Sequence, residues 1–255
     1  MSSKFVAPKL VIATSLKMYF DHAKSLEWAR QVRAIALKSD KVVSGEVEFT
    51  VFPSYPTLLS FVELFSDSPV RVGAQNVASE EFGAYTGEVS VRTLQQVGVD
   101  YIEIGHSERR RYFGETTTDI AQKIGLTLNH GLIPLVCIGE QRKSDANDAI
   151  DVCVNFIETV TRKIDSENRR PLVFAYEPEW AIGAKHPAGI EHVRHVVSGL
   201  RVWLSERPHL SNSHIIYGGS AGPGLLAELN GAVNGLFLGR FAHEPGVLEK
   251  ILTEI

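Results

Sequence analysis

Three side chains able to move a proton stand directly behind short apolar runs. Lys17 follows Leu10 to Thr14, His106 follows Asp100 to Ile104, and Glu177 follows Leu172 to Tyr176. Enolising a carbon acid beside a carbonyl needs a base, an electrophile for the oxygen and exclusion of water. Glu177 supplies a carboxylate; His106 and Lys17 supply donors. Glycine-containing turns, Gly218-Gly219-Ser220 and Gly239-Arg240, follow two further runs, where backbone N–H groups can approach an anion closely. The stretch from Trp180 to Ala188 has the make-up of a lid: it is small at Gly183-Ala184 and bounded by Pro178 and Pro187. Singly, each feature has a plainer explanation, since a strand-end Lys or His is commonly solvated and a Gly-Gly pair is commonly just a turn. Their convergence on one rim points to isomerisation of a small phosphorylated sugar through an enediol, with Glu177 as base.

That convergence requires elements that end side by side. The apolar runs are Leu10 to Thr14, Glu46 to Phe52, Val70 to Ala74, Asp100 to Ile104, Ile133 to Ile138, Leu172 to Tyr176, His214 to Tyr217 and Gly235 to Leu238. They are nearly continuous in apolar character, as parallel strands buried on both faces are. Helical patterns lie between most of them: Ala23 to Leu37, with Leu26, Ala29, Arg30, Arg33 and Leu37 in register and Asp21 or Ser25 as cap; Thr118 to Leu128; Ala146 to Ile164; and Ile190 to Leu204. About eight strand–helix units in 255 residues predict an α/β fold, a single-domain (β/α)8 barrel over residues 1–255, whose site lies at the C-terminal ends of its strands. An open doubly wound sheet usually carries a Gly-rich turn after its first strand; Ser15-Leu16-Lys17-Met18 has no glycine.

Composition narrows the partners. The formal charge of −4 gives no electrostatic support for nucleic acid or a membrane surface, and no segment approaches a membrane span. Two cysteines, Cys137 and Cys153, suit reduced, partly buried thiols, and with no apolar h-region or membrane span a cytoplasmic protein is expected. His, Asp and Glu lack metal-ligand spacing, so no metal is expected, and proton shuttling needs no organic cofactor. His192 and His195, like the pair His186 and His192, are expected on a solvated face.

The motifs resemble those of the triosephosphate isomerase family along nearly the whole chain. They are Gly73-Ala74-Gln75-Asn76-Val77, Ala84-Tyr85-Thr86-Gly87-Glu88, Ile104-Gly105-His106-Ser107-Glu108-Arg109-Arg110, Tyr112-Phe113-Gly114-Glu115, Cys137-Ile138-Gly139-Glu140, Ala175-Tyr176-Glu177-Pro178-Glu179-Trp180-Ala181-Ile182-Gly183 and Tyr217-Gly218-Gly219-Ser220. The resemblance implies Glu177 as the carbon base and His106 as a neutral electrophile ahead of a short helix, a scheme of which this family is the standing example. It implies that Lys17, held by Glu108, attracts the phosphate, and that Gly183, Ser220 and Gly239 donate backbone N–H groups to it. Glu140 would support the lid through Trp180. The loop around Thr86 resembles one that inserts into a partner subunit, which implies a homodimer.

Departures bear on substrate more than on mechanism. The family's usual Asn-Trp-Lys-Met-Asn is here Ser15-Leu16-Lys17-Met18-Tyr19; a usually hydrophobic lid position is Glu179; and the usual Gly-Thr-Gly-Lys-Thr-Ala is Gly183-Ala184-Lys185-His186-Pro187-Ala188. A Gly-Gly pair is replaced by Gly239-Arg240, followed by Phe241-Ala242-His243. Ser15 opens space and offers a hydroxyl; Arg240 adds a charge near the phosphate. This pattern is similar to a divergent branch of the family in tetritol catabolism that isomerises L-erythrulose 1-phosphate to D-erythrulose 4-phosphate. The alternatives are drift in a conventional triosephosphate isomerase and a non-catalytic sugar-phosphate binder on the same barrel.

Overall fold

A computed structural model describes residues 10–165, 167–168, 170–183 and 188–255. Eight parallel strands close into a barrel in chain order: β1 (Leu10–Ser15), β2 (Val47–Phe52), β3 (Arg71–Ala74), β4 (Tyr101–Ile104), β5 (Ile133–Ile138), β6 (Val173–Tyr176), β7 (His214–Tyr217) and β8 (Gly235–Leu238). The helices are α1 (His22–Lys38), α2 (Asp40–Val43), α3 (Tyr55–Phe65), α4 (Val91–Val97), α5 (Ser107–Phe113), α6 (Thr117–Asn129), α7 (Ala146–Thr161), α8 (Ile190–Ser205), α9 (Leu225–Leu229) and α10 (Pro245–Thr253). The predicted strands match to within a residue at each end. The barrel closes where β8 pairs with β1, and Gly235 permits it: its φ is +141°, and a Cβ there would sit 1.8 Å from the Val11 carbonyl oxygen.

Alternation along each strand divides the core. One set of side chains, including Val11, Ala13, Phe52, Tyr101, Leu135, Cys137, Ala175 and Phe237, fills the barrel. The other set packs under the helices, with Val136, Phe174 and Leu238 among it. Both cysteines are free and buried.

Expectations for two helices change. Asp21 caps α1 by accepting from the Lys24 N–H, whereas Ser25 lies buried inside the helix and returns its hydroxyl to the Asp21 carbonyl. The stripe of α1 that faces the core is Trp28, Ala29, Val32 and Ala36; Arg30 and Leu37 are exposed, and Arg33 is half-buried against Asp67. The indole of Trp28 donates to the Ala242 carbonyl at 2.9 Å, which ties α1 to the turn after β8 and so helps position Arg240. Helix α7 ends at Thr161 rather than Ile164.

Candidate active site

The C-terminal ends of the strands surround one cavity of about 570 Å³. Ser15, Lys17, His106, Glu108, Glu177, Gly183, Ser220, Gly239 and Arg240 all line it, so residues spread over more than 200 positions of sequence meet at one mouth.

His106 is the N-cap of α5. Its Nδ1 accepts the Glu108 backbone N–H at 3.1 Å, so the ring proton belongs on Nε2, which faces Glu177 Oε2 at 3.8 Å. Burial, with Lys17 adding, lowers the imidazole to about 4, despite Glu108 pulling the other way. At neutral pH the ring is therefore an uncharged Nε2–H donor aimed into the cavity. Glu177 is 6% exposed, and its Oε2 has no hydrogen-bond partner among the described residues. Burial raises its carboxyl to about 7, opposed by Lys17, the Cys137 thiol and Arg110, with Glu108 adding to the rise. A carboxyl balanced near neutrality is suited to taking a proton and returning it.

Gly218 sets where Glu177 stands. A Cβ at Gly218 would fall 2.6 Å from Glu177 Cγ and 2.8 Å from Oε1. Lys17 Nζ lies 2.7 Å from Glu108 Oε1; burial alone would lower its ammonium, but the hydrogen bond and charge of Glu108, with Glu177 and Glu103, raise it. Lys17 has φ +49° and Ser220 φ +54°, left-handed conformations that cost of order 1–3 kcal/mol in residues with side chains. Gln75 holds the first of these in place, donating to the carbonyls of Lys17 and Phe52 at 3.0 and 2.9 Å.

Both ends of the lid are tied down. Trp180 Nε1 donates to Glu140 Oε1 at 2.7 Å, Ser220 Oγ donates to the Ala181 carbonyl at 2.7 Å, and the Ala188 N–H donates to the Tyr217 hydroxyl at 3.0 Å. Glu140 and Trp180 stand behind the cavity rather than in its lining. Arg240 reaches the lid: a Cβ on Gly183 would lie 3.6 Å from its Nη2. Lys185, His186 and Pro187, which the sequence reading assigns to the lid, lie outside the described residues, as does Ala184.

Several contributors were not foreseen. Glu179, the unusual lid residue, pairs with Arg110 at 2.6 Å, and Arg110 also donates to the carbonyls of Gly105 and Cys137. His192 does not face solvent; its Nε2 lies 3.2 Å from the Tyr176 hydroxyl and 3.5 Å from Glu140, extending the cluster behind Trp180, while His195 is exposed as expected. Glu103, in the middle of β4, is 3% exposed beside Ser15. Its signal was a lone carboxyl inside the run Tyr101-Ile102-Glu103-Ile104. Among the described residues no group of His, Cys, Asp and Glu is arranged to hold a metal, and no helix is long and apolar enough to cross a membrane.

The family model for triosephosphate isomerase matches residues 10–255. The chain belongs to the triosephosphate isomerase family. It is thus an isomerase on a (β/α)8 barrel. It is 42% identical to a protein named L-erythrulose-1-phosphate isomerase from Pectobacterium atrosepticum, over 96% of this chain and 95% of that one. A protein of the same name from Rhizobium etli is 36% identical, over 91% and 86% of the two chains. A probable triosephosphate isomerase 2 from Listeria monocytogenes is 35% identical, over 93% of each.

Proposed function

We propose that this protein interconverts L-erythrulose 1-phosphate and D-erythrulose 4-phosphate through a cis-enediol, with Glu177 as base. The observation that carries this is a carboxyl poised near neutrality facing a neutral imidazole Nε2–H across one cavity, beside a serine where the family's usual motif has asparagine. The relatives named for this reaction support the choice of substrate.

The substrate is dihydroxyacetone phosphate with an added CH2OH on the carbon that loses its proton. Glu177 takes the proton from C3 while His106 donates to the C2 carbonyl oxygen, and the C3–H electron pair becomes the enediol double bond. Glu177 returns a proton to C2, and the O3 hydroxyl gives its proton to His106 Nε2, restoring the neutral imidazole, as the carbonyl forms at C3. Lys17 stabilises the enediolate charge, held by Glu108. The backbone N–H groups of Gly183, Ser220 and Gly239, with Arg240, receive the phosphate. Glu140, through Trp180, anchors the lid that excludes water. No cofactor takes part in this scheme.

The working unit is a homodimer that uses the loop around Thr86. Phe82 and Tyr85 on that loop and Tyr112 and Phe113 at the end of α5 are exposed aromatic side chains, suited to burial against a second copy. The substrate assignment is tested by measuring kcat/KM of the purified protein for L-erythrulose 1-phosphate and for dihydroxyacetone phosphate. A preference of at least a hundredfold for the four-carbon ketose is expected; a preference for the triose phosphate makes the protein a conventional triosephosphate isomerase.

A further inference from the structure

Glu179 takes no part in the scheme above, yet it stands two residues beyond the base, at the start of the lid, where the family's usual residue is hydrophobic. It opens the short turn Glu179–Ala181, and its carboxylate meets Arg110 Nη2 at 2.6 Å. Arg110 lies on α5, four residues after His106, and is fixed independently of the lid. Its Nη1 donates to the carbonyl of Gly105, the residue directly before His106, at 2.7 Å, and to the carbonyl of Cys137 on β5 at 3.1 Å. The guanidinium also lies over the Phe156 ring of α7, 5.2 Å from its centroid. One planar group thus ties the turn that carries the electrophile to the residue that opens the lid.

Other bonds hold this part of the chain, but they run elsewhere. The Glu177 N–H donates to the Ile138 carbonyl at 2.7 Å and the Glu179 N–H to the Glu140 carbonyl at 2.9 Å, both at the end of β5. Among the hydrogen bonds of the described residues, only the Glu179–Arg110 pair runs from the lid's first turn to α5. The two side chains are 18% and 19% exposed, so solvent screens the pair less than it would a surface ion pair. A carboxylate so placed is costly to bury, and a leucine would serve packing alone better.

We propose that Glu179 is a positioning residue: through Arg110 it fixes the lid's first turn against the turn bearing His106, and so holds base and electrophile at their working separation. The inference rests on the reading of Glu177 as base and of the residues after it as a lid; it is independent of which ketose phosphate is the substrate.

Positioning has two consequences that packing lacks. The first is geometric. A 1 Å misplacement of a reacting group costs on the order of a hundredfold, so a lid turn loosened by a fraction of that should cost about tenfold in kcat and leave KM little changed. The second is electrostatic. Lys17, the Cys137 thiol and Arg110 hold the Glu177 carboxyl down against burial and Glu108, with His106 and the buried Glu103 also close to it. Glu179 offsets the charge of Arg110. Removing the Glu179 charge leaves Arg110 to act more strongly and moves the acid limb of kcat/KM to lower pH, whereas removing the Arg110 charge moves it to higher pH.

The test compares wild type, Glu179→Leu, Glu179→Gln, Arg110→Met and the Glu179→Leu/Arg110→Met double variant, measuring kcat and KM from pH 5 to 9 on each ketose phosphate that the wild type turns over. Glu179→Leu is expected to lose about tenfold in kcat, with KM within about threefold. Glu179→Gln keeps an acceptor for the guanidinium and should lose less, while its acid limb moves to lower pH as in Glu179→Leu. Because Glu179 acts through Arg110, the double variant should be no worse than Arg110→Met alone. Should Arg110→Met fail to fold, the two Glu179 variants decide. Wild-type kcat in Glu179→Leu, a loss through KM alone, or an acid limb that stays in place in both Glu179 variants overturns the inference. A Glu177→Asp variant with wild-type turnover overturns the reading of the site and this inference with it; a crippled Glu177→Asp beside an indifferent Glu179→Leu overturns this inference alone.

Discussion

Shortening Glu177 to aspartate changes the position of the base while keeping its chemistry. Removing one methylene withdraws the carboxylate by about 1.5 Å, a single C–C bond. Oε2 now lies 3.8 Å from His106 Nε2, so the aspartate would sit roughly 5 Å away. Proton transfer needs the reacting atoms about 3–3.5 Å apart, and a misplacement of 1 Å costs on the order of a hundredfold. Glu177→Asp is therefore expected to lower kcat about 10²- to 10³-fold, equivalent to roughly 3–4 kcal/mol of barrier. KM should change less than about threefold, because the atoms proposed to hold phosphate do not move. The acid limb of kcat/KM, set by a carboxyl near 7 in wild type, should fall by a few tenths of a unit with the lower intrinsic pKa of aspartate. Steady-state kinetics from pH 5 to 9 on both proteins measures all three. A variant that keeps more than a tenth of wild-type turnover, or that loses its activity through KM alone, refutes the assignment of Glu177 as base.

In wild type, kcat/KM should fall tenfold per unit below about pH 7, because protonating Glu177 removes the base. His106, held near 4, should add no limb between pH 5 and 9, and a second acid limb near 6 would contradict its neutral state. Gly218→Ala puts a methyl 2.6 Å from Glu177 Cγ and should lower kcat at least a hundredfold with the melting temperature little changed; unaltered kcat would show that the base position is not set there. Lys123 is buried between Glu115 and Asn76, and Lys123→Met leaves the Glu115 carboxylate buried with only Arg109, at 3.7 Å, nearby. A loss of about 3–5 kcal/mol, read as a melting temperature lowered by about 10 °C, is expected, and a Lys123→Met/Glu115→Met pair should recover much of it.

The strands were legible because burial on both faces writes nearly unbroken apolar runs, as in Ile133 to Ile138, and a run that is buried all round has few other readings. The site residues were legible for a topological reason: a barrel gathers whatever follows its strands, so Lys17, His106, Glu177, Ser220 and Arg240 had to converge once the strands were placed. The failures come from features that periodicity does not carry. On α1 the helical spacing includes Ala29, which does face the core, but misses Trp28 and takes in the exposed Arg30 and Leu37, since spacing gives the period of a helix but not which stripe meets the barrel. Glu103 hides inside an apolar run, although its inward parity with Tyr101 is written in the sequence. Sequence spacing puts His192 on a solvated face because its ties run to Glu140 and Tyr176, on other elements, and no local pattern records them.

If Glu177 moves a proton on a four-carbon ketose phosphate, exchange in D2O reveals it. Pure protein is incubated with L-erythrulose 1-phosphate, and separately with dihydroxyacetone phosphate, while NMR follows deuterium entering carbon. Rapid deuteration at C3 of the tetrulose phosphate, deuterated D-erythrulose 4-phosphate as product, and much slower exchange with the triose phosphate are expected. Rapid exchange with the triose phosphate and none with the tetrulose phosphate would contradict the four-carbon assignment.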